Sequence, residues 1–189
     1  MHETTVYLAG PEVFLQSQTT LTRKKELCKE YGFEGLSPLD NEVDFASFPT
    51  KEAAGIYIAI ANERMISRAD FVIANLTPFR GPSADVGTAY ELGYARALDK
   101  PVFGYTNNPR GFLERTKRDV WPHVEWVEKD LDPLGMTIED FNLFDNLMLA
   151  GALASRGGVV THESDSGLAW YTDLEGFEAC LRRAKERFK

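Results

Sequence analysis

Two carboxylates and a glycine in one predicted helix are the residues of this sequence whose types and spacing best fit chemistry on a ligand. Asp85 begins the helix, where the helix dipole stabilises a carboxylate in its charged form. Helical side chains lean toward the N-terminus, so Glu91 leans over Gly87 and toward the loop before the helix. A glycine inside a helix costs about 1 kcal/mol relative to alanine, which indicates that something needs the room above Glu91. The same spacing is also compatible with a solvated glutamate and a glycine that packs on a sheet.

The elements around this helix form a βαβ unit. The apolar run 70–76 predicts a strand buried on both faces, and the helix that starts at Asp85 ends before Pro101. A second strand follows at 102–105. In open α/β sheets, ligands bind at the loops that leave the carboxyl ends of the strands, so the loop 77–84 is expected to line a site.

Two further polar loops follow predicted strands. The strand 4–9 ends at Gly10, and the loop after it carries Phe14 and backbone N–H groups that are free to meet a ligand. The short strand 33–36 leads to a loop with Asp40. Asp40 either contacts a ligand or simply closes an Asx turn.

Predicted strands and helices alternate along the whole chain. The other helices are predicted at 18–31, 51–68, 142–154 and 173–187, with a last strand at 159–160. This order favours an α/β fold, a doubly wound, flavodoxin- or Rossmann-like parallel sheet of about five strands with helices on both faces. The length suits one domain, residues 1–189.

Several details of the packing are also predicted. The apolar side of helix 51–68 is expected to face the sheet through Ile56, Ile60, Met65 and Ile66. Helix 142–154 is apolar on most sides, which is typical of a helix buried between subunits, and Thr172 is expected to cap the last helix. Residues 110–140 are long for a connection and are expected to pack as a lid or an interface element.

The composition restricts the partners and the compartment. A net charge of −8 and a pI near 5.0 argue against a nucleic-acid polymer and favour a small molecule. Cys28 and Cys180 lie in amphipathic helical patterns, as buried free thiols of a reducing cytoplasm do. The isolated histidines and the lack of a glycine-rich phosphate motif favour neither a metal nor a nucleotide cofactor. Without a signal peptide or a membrane-spanning run, a cytoplasmic protein is expected.

Four motifs, in this order along the chain, resemble those of the nucleoside 2-deoxyribosyltransferase family. They are YLAGP at 7–11 with Phe14, PLDN at 38–41, DVGTAYELGYA at 85–95 and NLM at 146–148. The resemblance covers the first 105 residues and the stretch around 141–150. It implies that the protein transfers 2-deoxyribose between nucleobases in nucleotide salvage, with deoxynucleosides and free nucleobases as its partners.

The resemblance also implies roles for three residues. Glu91 would attack C1′ of a 2′-deoxynucleoside to form a covalent deoxyribosyl-enzyme, and a second base would then take the sugar with retention of the β configuration. Asp85 would hold the sugar hydroxyls, and Tyr7 would donate its hydroxyl to Glu91. No metal or other cofactor is needed for this chemistry, because a positioned carboxylate stabilises the cationic transition state.

Other positions in the motifs would bind substrate. In the same subunit the resemblance implies Gly10, Phe14, Asp40, Asn62 and Gly87. Asn146 and Met148 belong to a motif that the family supplies to a neighbouring subunit's site. The resemblance therefore implies a homodimer or a higher homo-oligomer with shared active sites.

Asn62 departs from the family pattern. Several members carry an aspartate there that contacts the leaving base and relays a proton, whereas an amide can only hydrogen-bond a base edge. Asn62 could equally be an ordinary surface amide. The proton for the leaving base would then come from Asp40 or from water.

Two other functions fit the same sequence. A hydrolase would use the same nucleophile but resolve the intermediate with water, acting on 2′-deoxynucleosides or their 5′-monophosphates. The first loop carries an acid, Glu12, and no arginine for a phosphate, although Arg80 and Ser83 could take that role. A nucleoside-sensing module without catalysis is the third possibility, since a fold alone does not fix function.

Overall fold

The apolar runs of the sequence form parallel strands in the computed structural model of the chain, which describes residues 3–126, 130–154 and 158–188. The strands are β1 (Thr5–Ala9), β2 (Glu34–Leu36), β3 (Phe71–Asn75), β4 (Val102–Thr106) and β5 (Val159–Thr161). Within the described ranges they form one five-stranded sheet in the order β2-β1-β3-β4-β5, with every neighbouring pair parallel. The predicted fold class is confirmed.

Helices cover both faces of this sheet. They are α1 (Thr19–Tyr31), α2 (Lys51–Arg68), α3 (Val86–Ala97), α4 (Phe112–Arg115), α5 (Leu147–Ala154), α6 (Ala169–Thr172) and α7 (Glu175–Arg187). Successive side chains of a strand point to opposite faces. On β1, Tyr7 and Ala9 therefore join the core under α2, α3 and α5, whereas Val6 and Leu8 join the core under α1 and α7.

The strand order places a topological switch between β1 and β3. From β1 the chain runs outward to β2 at one edge, then crosses back to β3 and continues to β4 and β5 on the other side. The loops that leave the carboxyl ends of β1 and β3 therefore diverge and leave a crevice, which is where ligands bind in sheets of this kind. The pairing of Ala9 with Ala74 brings these two loops side by side.

The prediction for helix α2 is wrong at two positions. Its bounds are as predicted, and Met65 and Ile66 are buried, but Ile56 is 62% exposed and Ile60 is 42% exposed. The reason is geometric. Ile56 and Met65 are nine residues apart, so a helix of 3.6 residues per turn places them on opposite sides.

The predictions for the last third of the chain need two corrections. Helix α5 begins at Leu147 rather than at 142, and it buries Leu149 and Leu153 against its own sheet, so its apolar character does not by itself require a neighbouring subunit. Thr172 ends α6 and does not cap α7, where Asp173 accepts a hydrogen bond from the Glu175 N–H at 3.0 Å instead. No helix among the described residues is long and apolar enough to cross a membrane.

Candidate active site

A tyrosine of β1 and a glutamate of α3 meet at the switch point. Tyr7 is fully buried on the face of the sheet that α3 covers, and its hydroxyl donates a 2.5 Å hydrogen bond to Glu91 Oε1. Glu91 itself is only partly buried, at the border of the packed side of α3. The structure therefore shows the hydrogen bond that the family resemblance implied between these two residues.

The surroundings of Glu91 favour its neutral form. Burial raises the pKa of the Glu91 carboxyl to about 7, the Tyr7 hydrogen bond opposes this rise, and the negative charge of Asp85 adds to it. Burial and the negative charge of Glu91 raise the pKa of Tyr7, so Tyr7 stays protonated and remains the donor. Among the described residues no cation pairs with Glu91. The Tyr7 bond thus holds the Glu91 carboxyl in one orientation, and no cation of these residues stabilises its charged form.

Asp85 caps the N-terminus of α3, and Gly87 makes room for it. Asp85 Oδ2 accepts hydrogen bonds from Thr88 N at 2.9 Å and from Thr88 Oγ1 at 3.1 Å. A Cβ atom on Gly87 would lie 3.0 Å from Asp85 Oδ2. Gly87 thus leaves room for the Asp85 carboxylate, and the prediction that something occupies the space above Glu91 stays a prediction. No donor of the described residues bonds to Asp85 Oδ1.

The loop after β1 turns its acid inward. Glu12 is 1% exposed and accepts hydrogen bonds from Lys24 Nζ at 2.5 Å, Asn75 Nδ2 at 2.8 Å and Tyr105 Oη at 2.9 Å. A Cβ atom on Gly10 would collide with the Glu12 carboxylate, so this position requires glycine. Glu12 is therefore a structural group paired with Lys24, and its charge is not an argument against a phosphate near this loop.

Phe14 lies at the mouth of the crevice on the same loop. It is 55% exposed, and its ring stacks on Phe79 of the loop after β3 with 5.3 Å between ring centroids. The Arg80 guanidinium lies over both rings, 5.2 Å from the Phe14 centroid and 4.6 Å from the Phe79 centroid. A pair of aromatic rings with a cation against it suits an aromatic ligand.

Asp40 and Asn62 are occupied by local contacts. Asp40 Oδ2 accepts from Ser37 N at 2.8 Å and the other oxygen pairs with the Lys25 ammonium group. Asn62 Oδ1 accepts from Asn41 Nδ2 at 2.8 Å. The turn-closing interpretation of Asp40 therefore accounts for its carboxylate, and its role as the proton donor for a leaving base loses support.

Asn146 and Met148 lie at the start of α5. Asn146 Nδ2 donates to Glu139 Oε1 at 2.7 Å, and its Oδ1 accepts from the Met148 N–H at 3.0 Å. Met148 is 72% exposed and borders a groove between α3 and α5. Among the described residues, neither side chain forms a hydrogen bond with Tyr7 or Glu91, and the role of both in a neighbouring subunit's site stays a prediction.

Two buried ion pairs next to the crevice were not predicted. One is Glu12 with Lys24, and the other is Arg115 with Asp145, whose side chains are 0% exposed and whose Nη2 and Oδ2 atoms are 3.4 Å apart. The first pair left a signal, because Lys24 falls three residues after Leu21 and therefore on the apolar side of α1. The second pair joins residues 30 positions apart, and no local sequence pattern indicates it.

Known proteins resemble this chain over most of its length. A sequence model described as nucleoside 2-deoxyribosyltransferase matches residues 6–148. An uncharacterized protein of Schizosaccharomyces pombe is 29% identical over an alignment that covers 93% of this chain and 89% of the relative.

Two solved structures are similar over most of the chain. A 2-desoxiribosyltransferase from Leishmania mexicana has a TM-score of 0.61 and 29% identity, covering 90% of this chain and 96% of that one. A conserved protein from Enterococcus faecalis V583 has a TM-score of 0.58 and 21% identity, covering 97% and 99%, a likeness that shows the fold alone.

Proposed function

We propose, because the chain belongs to the nucleoside 2-deoxyribosyltransferase family, that it transfers 2-deoxyribose from one nucleobase to another through an ester on Glu91. The observation that carries this proposal is the Tyr7–Glu91 hydrogen bond. It fixes one oxygen of a carboxylate at the switch point of the sheet, while no cation of the described residues neutralises the other. A nucleophile needs both a fixed geometry and a negative charge that is not paired with a cation.

The first step forms the glycosyl-enzyme. The Glu91 oxygen that is not bonded to Tyr7 attacks C1′ of the 2′-deoxynucleoside as the C1′–N bond breaks. The electron pair of that bond goes to the departing base, which also takes a proton. Burial favours this step, because a charged carboxylate that is costly to bury becomes a neutral ester.

The second step regenerates the carboxylate. A nitrogen of the acceptor base attacks C1′ on the face that the first base had occupied. The ester bond between C1′ and the Glu91 oxygen breaks, and its electron pair returns to Glu91. The acceptor base then loses its proton. Two displacements at one carbon give a product with the original β configuration, as in a retaining glycosidase.

Asp85 and solvent complete the proposed mechanism. Asp85 Oδ1 is available to accept a hydrogen bond from a sugar hydroxyl, since the Thr88 bonds occupy only Oδ2. Water is the proposed proton source for the leaving base, because Ser37 and Lys25 already occupy the Asp40 carboxylate. Asn62 keeps its amide N–H groups for a base edge.

Hydrolysis of a deoxynucleoside 5′-monophosphate is the second candidate. Arg80 favours it, because this cation lies beside Phe14 at the mouth of the crevice and could pair with a phosphate. Glu12 no longer argues against it, since Lys24 neutralises this acid. Ser83 gives it no support, because its hydroxyl donates to Asp145.

One incubation separates the candidate functions. Deoxyinosine and thymidine are mixed with adenine and cytosine, and the products are separated by chromatography. Transfer gives new deoxynucleosides and an equal amount of released base, whereas hydrolysis gives base and free deoxyribose. A parallel reaction with thymidine 5′-monophosphate tests the phosphate. Unchanged substrates in every mixture would contradict both activities. A nucleoside-binding module without catalysis would then be the remaining function.

We also propose that the active site is shared between subunits of a cytoplasmic homo-oligomer, with Asn146 and Met148 completing a neighbour's site. Support comes from the family motif and from the exposure of Met148. In this arrangement residues 110–140 belong to the same single domain and lie near the interface.

Mixing two variants tests the shared site. Glu91→Ala and Asn146→Ala proteins are each expected to be inactive or weak. After verified subunit exchange in a two-fold dimer, about a quarter of the sites would carry neither change and activity should return to about that level. Verified exchange without any return of activity would place Asn146 in its own subunit's site or outside the mechanism.

A further inference from the structure

The buried pair of Arg115 and Asp145 lies outside the motifs but touches the loop that leads to Asp85. Arg115 is the last residue of α4, and Asp145 lies two residues before α5. Both side chains are 0% exposed, and the guanidinium and the carboxylate are 3.4 Å apart. Neither residue contacts Glu91 or Tyr7 directly. Their contacts nevertheless converge on three consecutive residues, 82–84.

Each member of the pair holds part of this loop. Asp145 Oδ2 accepts from Ala84 N at 2.9 Å, and Asp145 Oδ1 accepts from the Ser83 hydroxyl. Arg115 Nε donates to the Pro82 carbonyl at 2.7 Å. The residue that follows these three is Asp85, whose backbone starts α3. The direction in which the Asp85 carboxylate points therefore depends on where the pair holds the chain.

The same carboxylate also bonds to the NLM motif at 146–148. Asp145 Oδ1 accepts from the N–H of Asn146 at 2.7 Å, and the Arg115 Nη1 group donates to the Arg110 carbonyl at 2.5 Å. One acid thus joins the loop before Asp85 to the segment that carries Asn146. Replacing a buried ion pair with apolar residues is often neutral or stabilising, so stability is a weak explanation for this arrangement.

We propose that Asp145, supported by Arg115, is a positioning residue that fixes the loop 82–84 and thereby aims Asp85 at the sugar of the substrate. The claim that Asp85 contacts the sugar rests on the proposed function. An error of about 1 Å in a contact of this kind can cost about a hundredfold in rate. The pair therefore acts on sugar recognition without touching the substrate.

The test compares Asp145→Asn with Leu181→Ala. An amide offers one acceptor oxygen where the carboxylate meets Ser83, Ala84, Asn146 and Arg115, so the variant loses part of the loop's anchorage. Leu181 is a buried residue of α7 and packs on the opposite face of the sheet, so its truncation lowers stability without touching the loop. The two variants are compared at denaturant concentrations that give equal fractions of folded protein.

Two readouts are used. In hydrogen exchange, Asp145→Asn is expected to speed exchange of the Ala84 amide at least about tenfold relative to Leu181→Ala. In kinetics, the ratio of kcat/KM for a 2′-deoxynucleoside to kcat/KM for its analogues without the 3′- or 5′-hydroxyl is expected to fall about fivefold or more. Partial unfolding would lower both rates equally and leave this ratio unchanged.

The outcomes are distinct. A folded Asp145→Asn protein with wild-type Ala84 exchange and wild-type sugar selectivity would overturn the proposal. Should Asp145→Asn not fold, Ser83→Ala replaces it, since this variant removes one donor to the same carboxylate. Two- to threefold changes in the same directions are expected, and the absence of any change would overturn the proposal. A wild-type protein that neither transfers nor hydrolyses would contradict the proposed function, whereas exchange at Ala84 would still decide whether the pair holds the loop.

Discussion

Glu12 and Glu91 occupy matching environments on opposite faces of one sheet. Each accepts a hydrogen bond from the hydroxyl of a strand tyrosine: Tyr105 on β4 bonds to Glu12, and Tyr7 on β1 bonds to Glu91. The difference is the cation. Lys24 lies 2.5 Å from Glu12, whereas the charge that Glu91 meets is the negative one of Asp85.

This difference separates a structural acid from a reactive one. The Glu12 charge is compensated, and Asn75 adds a further hydrogen bond, so the group holds the first loop in place. The Glu91 carboxylate has fixed geometry and no compensating cation among the described residues, and its pKa rises to about 7. The same side chain therefore serves the fold on one face and is available for chemistry on the other.

The largest expected effect is the loss of activity in Glu91→Ala. Removing a sole nucleophile should lower the rate of transfer by about 10⁴-fold or more. The free energy of unfolding should change little, because the lost Tyr7 hydrogen bond is offset by the removal of a carboxylate whose charged form burial disfavours. Transfer is measured by chromatography and stability by urea titration. A tenth of the wild-type activity in this variant would contradict the assignment.

Glu12→Gln should show the opposite pattern, in which the main effect is a loss of stability. The variant keeps the size of the side chain but leaves the Lys24 ammonium buried without a negative partner, which costs about 3–5 kcal/mol of stability. Urea unfolding measures the loss. The double variant Glu12→Gln/Lys24→Met, which removes the charge of both partners, should recover most of it. Unfolding of Glu12→Gln at the wild-type urea concentration would show that the pair does not stabilise the fold.

Tyr7→Phe and Tyr105→Phe make the same change on the two faces. Loss of the Tyr7 hydroxyl should lower kcat about 10- to 100-fold, because Glu91 loses the bond that orients it. That bond also lowers the Glu91 pKa, so the acid limb of the pH–rate profile, near pH 7 in the wild type, should move to higher pH. Tyr105→Phe should leave this limb in place. A limb that moves equally in both variants would rule out Tyr7 as the specific partner of Glu91.

The smallest expected effect is a gain of stability in Glu91→Gln. A carboxyl group whose pKa rises from 4.5 to about 7 on folding favours the folded state below pH 4.5, and this advantage is lost as the pH rises through 7. The Glu91→Gln variant has no charge to bury and keeps this stability at high pH. At pH 8 the variant should therefore exceed the wild type by about 1–2 kcal/mol, allowing for the partial exposure of Glu91. Melting temperatures from pH 4.5 to pH 8 measure the difference, and identical values throughout would contradict the raised pKa.

The strands and the motif contacts could be predicted from the sequence because local patterns specify them. Apolar runs ended by loops gave the βαβ unit around Asp85, and the family resemblance implied the contact between Tyr7 and Glu91. The bounds of α2 were predictable as well. Its packed side was predicted wrongly, because helical spacing does not allow Ile56 and Met65 to face the sheet together. The position of the helix on its sheet then decides that Met65 is the buried one.

The partners of buried charges could not be predicted, because they lie far apart in the sequence. Glu12 looked like an acid of a ligand loop, and its pairing with Lys24 depends on how α1 crosses the sheet. Asp145 directly precedes a recognised motif, yet its bonds to the loop 82–84 exist only after β3, α4 and α5 have come together. Local patterns indicate which residues are polar and do not indicate what each will meet.

The most direct test of the central claim is to isolate the glycosyl-enzyme. The protein is incubated with a 2′-deoxynucleoside without acceptor base, quenched in acid and examined by intact-mass and peptide mass spectrometry. If Glu91 is the nucleophile, an added deoxyribosyl group is found on Glu91, disappears when a second base is supplied and is absent from Glu91→Ala. A deoxyribosyl group on another residue, or turnover that persists in Glu91→Ala, would contradict this assignment.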